Sequence, residues 1–119
     1  TVVHVTTAMH PTVIEDDVTV GHRAVLHGCT VRRGALIGMG AVVMDQAIIG
    51  ENAMVGAGAL VAPGTHIPDG MLAIGCPARP KRPLTEQEHA WLRYSASHYV
   101  DIASRYLSEG HGGLDDEVA

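Results

Sequence analysis

Histidine is the residue type that most invites a chemical reading of this chain. Four of the eight histidines fall within the first 27 residues: His4, His10, His22 and His27. His22 and His27 lie five apart in Val20-Gly21-His22-Arg23-Ala24-Val25-Leu26-His27-Gly28-Cys29, and His4 precedes His22 by 18 residues. Three imidazoles brought together suit a catalytic Zn²⁺ site, which takes three nitrogen ligands and keeps a fourth position open. Fe²⁺ or Co²⁺ would accept the same donors. Spacing alone leaves a plainer reading open, in which each histidine is solvated or hydrogen-bonded on a strand face. An offset of five is odd, so His22 and His27 fit one spot within one subunit poorly. A metal shared between subunits would remove that difficulty.

The elements that must position these residues follow from a six-residue repeat. Aliphatic residues recur at Val31, Ile37, Val43, Ile49, Val55, Val61 and Ile67 without a miss. Small residues stand two places earlier, at Cys29, Ala35, Ala41, Ala47, Ala53, Ala59 and Thr65. Gly28, Gly34, Gly40, Gly58, Gly64 and Gly70 stand three places earlier, with Gln46 and Asn52 as substitutes. The same beat runs upstream through Ile14, Val20 and Leu26, and loses one residue between Leu26 and Val31. A period of six matches neither the 3.6 of a helix nor the 2 of a long strand. It matches a strand of two or three residues followed by a corner, with Gly or Asn supplying φ > 0 where the chain turns. Three sides make a coil of about 18 residues, and coils stack at the strand spacing of about 4.8 Å. The expected fold is mainly β: a hexapeptide-repeat parallel β-helix shaped as a triangular prism, left-handed as in the known families of this repeat. The β-helix domain is expected over residues 1–83.

The repeat ends near Gly75-Cys76-Pro77-Ala78-Arg79-Pro80, and Thr85-Glu86-Gln87-Glu88 reads as a capping box. A C-terminal helix is expected over 84–110, its broad stripe of Trp91, Tyr94, Tyr99 with Leu92, Ile102 and Tyr106 packing along the prism or against a neighbour. Residues 111–119 read as a flexible tail.

Composition narrows the function classes. The chain has 119 residues, a formal net charge of −5, 14 Gly, 6 Pro, no Phe and 3% aromatics. That acidic balance argues against nucleic-acid partners, and no apolar run approaches the roughly 18 residues of a membrane span. Cys29 and Cys76 lack metal-site spacing and read as free thiols; without a signal peptide the expected compartment is the cytoplasm. Glu15-Asp16-Asp17 reads as a solvated corner and Arg32-Arg33 as surface.

Several segments together resemble the gamma-class carbonic anhydrase-like proteins. They are Val3-His4-Val5, Val18-Thr19-Val20-Gly21-His22, Leu26-His27-Gly28-Cys29-Thr30, Leu36-Ile37-Gly38-Met39-Gly40-Ala41 and Val55-Gly56-Ala57-Gly58-Ala59-Leu60-Val61. Gly75-Cys76-Pro77-Ala78-Arg79 and the helix start at Leu84-Thr85 extend the likeness. The resemblance implies a homotrimer with one metal at each subunit interface, Zn²⁺ or alternatively Fe²⁺ or Co²⁺. Carried over by motif, His4 and His27 come from one subunit and His22 from the next. The implied reaction is reversible hydration of CO2 to bicarbonate, using water activated by the metal and a route for the released proton. The family's Arg and Gln/Asp before the first ligand lie upstream of Thr1, and its acidic loop with a shuttle Glu has no counterpart between His4 and Pro11. The sequence is therefore expected either to be a piece lacking those groups or to be a poor catalyst. His10 is the candidate replacement shuttle, against the plainer reading of a solvated loop histidine.

Two other functions share the repeat. One is an acyltransferase using acetyl-CoA, for which Gly75-Cys76-Pro77-Ala78-Arg79 is equally suitable and His66, in a corner region, would be the general base. The other is a non-catalytic trimeric scaffold or assembly subunit.

Overall fold

A computed structural model describes residues 2–4 and 11–108, with only the backbone described for His4 and for residues 98–108. In chain order the strands are β1 (Val2–His4), β2 (Val13–Ile14), β3 (Thr19–Val20), β4 (Val25–His27), β5 (Thr30–Val31) and β6 (Leu36–Ile37). β7 (Val42–Val43), β8 (Ile48–Ile49), β9 (Met54–Val55), β10 (Leu60–Val61) and β11 (His66–Ile67) continue the rhythm. β12 (Met71–Gly75), β13 (Ala78–Pro83) and the helix α1 (Glu86–Ser108) complete the chain.

Strands this short arise because each six-residue unit spends half its length on a corner. Every third strand pairs in parallel, which makes three sheets: β1-β4-β7-β10, β11-β8-β5-β2 and β13-β12-β9-β6-β3. The result is a left-handed parallel β-helix of hexapeptide units, a three-sided prism. From β4 to β11 the second residue of each strand points inward. Leu26, Val31, Ile37, Val43, Ile49, Val55, Val61 and Ile67 are all fully buried, stacked coil upon coil. Ala24, Ala35, Ala41, Ala47 and Ala53, also fully buried, fill the tight insides of the corners. The core is aliphatic and alanine-filled from coil to coil, in keeping with a chain that has no Phe.

The corners require left-handed backbone, and glycine is not the only residue that supplies it. Gln46 and Asn52 take φ of 62° and 55°, as do Asp17 and Arg23 at 61° and 60°. A second column of glycines serves a different purpose. A Cβ on Gly38 would lie 2.5 Å from the backbone N of Ala57, so the coils approach there only because no side chain intervenes.

The missing residue between Leu26 and Val31 shows directly in the register. Val25 stands opposite Val42, one residue short of the full coil that sets Val42 opposite Leu60. The shortened corner is the one that follows His27.

The solenoid ends by folding back on itself. β12 pairs with β9 in parallel on one side and with β13 antiparallel on the other, turning over Cys76-Pro77, a cis peptide bond. The β13 edge is rich in Pro and basic residues, Arg79-Pro80-Lys81-Arg82-Pro83, and Pro at an edge cannot donate to a further strand. The capping box forms as expected: the Glu88 N–H donates to Thr85 Oγ1 at 3.1 Å and the Thr85 N–H to Glu88 Oε1 at 2.9 Å. Arg82 locks the same carboxylate in a two-pronged contact of 2.6 and 3.0 Å.

The helix packs with only part of the expected stripe: Leu92 turns inward, but the rings beside it do not. Trp91 and Tyr94, stacked on each other with centroids 5.5 Å apart, face outward at 56% and 55% exposure. Leu92 and Ser95 are the buried residues of this stretch, and Leu84 is buried just before the helix. Leu92 and Ala96 face the corner column that contains Gly34 and Asn52. Tyr99, Ile102 and Tyr106 and the expected tail at 111–119 lie outside the residues whose side chains are described.

Candidate metal centre

The face formed by β1-β4-β7-β10 carries the histidines. Alternation along β4 buries Leu26 completely and turns Val25 and His27 outward. β1 pairs with β4 in the register Val2–Val25, Val3–Leu26 and His4–His27. His4 therefore stands opposite His27, not opposite His22, the residue one nominal coil away. The stretch between His4 and Pro11 shifts the count, so the 18-residue spacing to His22 does not correspond to stacking.

His22 occupies the corner at the other edge of the same face, between β3 and β4, and is exposed. Gly21 beneath it packs on the backbone of Met39 in the next coil, where a Cβ would come within 2.7 Å. His22 and His27 thus stand at the two edges of one sheet, separated by the length of β4. Among the described residues, no three His, Cys, Asp or Glu side chains of one chain converge as a metal cluster would.

The His27 ring has a defined partner. Its Nδ1 contacts Asp45 Oδ1, both side chains being about three-quarters covered, with exposures of 25% and 29%. Nε2 is then the ring nitrogen that a metal would take. The corner under His27 is held by hydrogen bonds to its backbone: the Gln46 N–H donates to the Gly28 carbonyl at 2.8 Å, and the Gly28 N–H donates to the side-chain Oγ1 of Thr12 at 2.8 Å. Asp45 escaped the sequence reading, although its offset of 18 from His27 was a usable signal. Its place on the corner of the next coil, which keeps the residue that the His27 corner lacks, was the second signal.

Cys29, two residues beyond His27, turns into the core and is 1% exposed. Burial pushes its thiol pKa up, and its side chain is directed into the core, away from the outward-facing His27. Cys76 is exposed on the β12–β13 turn. His10 lies outside the described residues. His66 sits on β11 rather than at a corner, exposed on a different face of the prism. Glu15, Asp16, Asp17 and Arg33 are exposed at the third corner row, where Glu15 Oε1 accepts from the Arg33 N–H at 2.9 Å. That row also borders a cavity of about 430 Å³ under α1, lined by Arg33, Asn52, Leu92 and Arg93 among others. It lies away from the histidine face.

The rest of the histidine face is apolar. Val25, Val42 and Leu60 form its half-buried central ladder, Met44 and Ala62 continue the His27 edge, and Met39, 60% exposed, continues the His22 edge. Among the described residues no helix is long and apolar enough to cross a membrane.

Repeat, prism and histidine face together define a hexapeptide-repeat protein. Two family models match, the bacterial transferase hexapeptide of six repeats over residues 28–63 and the hexapeptide repeat of succinyl-transferase over residues 11–44. The chain is 45% identical over 101 residues to gamma carbonic anhydrase 1, mitochondrial, of Arabidopsis thaliana, covering 85% of this chain and 37% of that one. It is 50% identical over 94 residues to a probable carbonic anhydrase of Methanocaldococcus jannaschii, covering 79% and 59%. A Bacillus cereus protein of known structure, provisionally described as an acetyltransferase, matches with a TM-score of 0.86 and 42% identity, over 89% of this chain and 61% of that one. The chain belongs to the gamma-class carbonic anhydrase-like proteins of the hexapeptide-repeat superfamily. It spans between about a third and three-fifths of the length of these relatives.

Proposed function

We propose that the chain carries the metal centre of a carbonic anhydrase-like enzyme that interconverts CO2 and bicarbonate, completed between the subunits of a homotrimer. The observation that supports this reading most is the placement of the three histidines. His4 and His27 share one rung at one edge of the β1-β4-β7-β10 face, while His22 stands at the opposite edge. A three-fold arrangement sets the His22 edge of one copy against the His27 edge of the next, so each interface gains a three-histidine set. The apolar ladder of Val25, Val42 and Leu60 between the edges is the kind of surface that association covers.

The donor set fits Zn²⁺, and equally Fe²⁺ or Co²⁺: three imidazole nitrogens and a carboxylate behind one of them. Such a metal, when bound, supplies Lewis acidity that makes water nucleophilic near neutral pH. The chain's own residues contribute position and environment. His27 turns outward because Leu26 is locked into the core. The aliphatic ladder excludes bulk water and suits a small apolar substrate. His10 is proposed as the group that takes up the released proton and passes it to buffer. CO2 turnover by His10→Ala that matches the wild type at every buffer concentration would rule this out.

The deciding experiment is elemental analysis of protein purified without oxygen, beside His27→Ala. A closed trimer has one interface per copy, so about one metal per chain is expected in the wild type and far less in the variant. Equal metal in both would refute the reading. The rival acyltransferase reading, which the Bacillus cereus likeness favours, predicts acetyl-CoA binding by calorimetry in protein free of metal.

A further inference from the structure

We propose that Asp45 is a positioning residue for the metal centre: it holds the His27 ring by Nδ1 and aims Nε2 outward toward the metal. The proposal rests on His27 being a ligand, as put forward above.

Three features of the structure carry it. The first is the contact itself, between Nδ1 of His27 and the Asp45 carboxylate. A carboxylate accepts but does not donate, so it selects the tautomer with the proton on Nδ1 and the lone pair on Nε2. The second is the local architecture. The corner after His27 is one residue shorter than the corner below it, which contains Asp45. The extra residue in the lower coil brings a side chain up beside the ring, and no other described corner carries such a side-chain ion pair. The third is that the corner does not need this pair to hold together. The Gln46 N–H to Gly28 carbonyl bond and the Thr30 N–H to Ala47 carbonyl bond, 2.8 and 2.9 Å, already join the coils on either side. A partly exposed pair adds little to folding. What the carboxylate does control is rotation about the last side-chain bond of His27, which the backbone leaves open. Partners of this kind, one step behind a ligating histidine, typically contribute 10–100-fold to metal affinity.

The test uses Co²⁺ as the probe, titrated into metal-free wild type, His27→Ala, Asp45→Ala, Asp45→Asn and Asp45→Glu. Affinity is read by competition with a chromophoric chelator and geometry by the visible Co²⁺ absorption; the thermal midpoint of each metal-free protein is recorded in parallel. Asp45→Ala is expected to bind about 10–100-fold more weakly with an altered spectrum. Asp45→Asn is expected to lose affinity as well, because its amide can donate to Nδ1 and select the wrong tautomer. Asp45→Glu should recover part of the loss, and the metal-free midpoints should all agree within about 2 °C. Wild-type affinity and spectrum in Asp45→Ala, with binding lost in His27→Ala, would overturn the role of Asp45 alone. A loss of affinity matched by a fall in the metal-free midpoint would reassign Asp45 to the fold and also overturn the proposal. If wild type and His27→Ala bind alike, the metal-centre reading itself fails, and this one with it.

Discussion

Replacing Gly38 by Ala tests whether the spacing between coils is set where the structure places it. A Cβ at Gly38 would sit 2.5 Å from Ala57 N and 2.8 Å from both the Gly56 carbonyl carbon and Val55 O. All three are backbone atoms of the next coil, so none can rotate aside. Ordinary contact needs about 3.4 Å or more, so the coils must part locally by nearly 1 Å out of a spacing of about 4.8 Å. The ladder bond from the Gly38 N–H to the Val55 carbonyl, now 2.8 Å, would stretch beyond a useful length. Overpacking of this kind costs about 1–3 kcal/mol and the lost bond about 1 kcal/mol more. Together these predict a destabilisation of about 2–4 kcal/mol, or on the order of 10 °C in thermal midpoint for a domain of this size. The control is Gly58→Asn. Gly58 has φ of 69° and nothing within 4 Å of the place a Cβ would take, and Asn52 already adopts the same backbone region at 55°. Its expected cost is below about 1 kcal/mol. Both variants are to be melted by far-ultraviolet circular dichroism, metal-free and at one protein concentration, because association shifts apparent stability. A Gly38→Ala midpoint within 2 °C of wild type, or equal losses in the two variants, would refute the reasoning.

Other consequences follow from the same structure. Ile49 is fully buried in the stacked column, so Ile49→Ala should lower stability by about 2–5 kcal/mol in denaturant unfolding, whereas the outward neighbour Ile48 should be less sensitive. The Arg82 guanidinium, helped by the Thr85 N–H, lowers the Glu88 pKa from 4.5 to about 2. A carboxylate depressed in the folded state stabilises above its unfolded pKa and loses that contribution as pH falls through the folded value. Unfolding midpoints measured between pH 4.5 and 2 should therefore fall less steeply in Arg82→Ala than in wild type, and parallel curves would contradict the contact. Burial and a raised pKa protect Cys29 while Cys76 is exposed, so thiol labelling at pH 8 should modify one cysteine in the native protein and two after denaturation. Two labelled native thiols would show that the corner beside His27 opens.

Much of this protein is a short-range periodic code, and such a code is legible without coordinates. The six-residue beat determined the strands, the corners and the inward column from Leu26 to Ile67, because each corner is decided within a few residues by backbone dihedrals and side-chain size. The capping box at Thr85 and Glu88 was legible for the same reason. The contraction between Leu26 and Val31 was visible as well, though not its consequence. What only tertiary structure decided is how coils of unequal length come into register. It set His4 opposite His27 instead of His22, brought Asp45 up beside His27, and sent His22 to the far edge of the face. It also turned Trp91 and Tyr94 outward and Leu92 inward, a choice among apolar helix residues that is made only when the helix docks on the prism. Periodicity specifies which way a residue points within its own coil. Which residues become neighbours depends on the length of every coil between them, and that sum is made only when the prism is assembled.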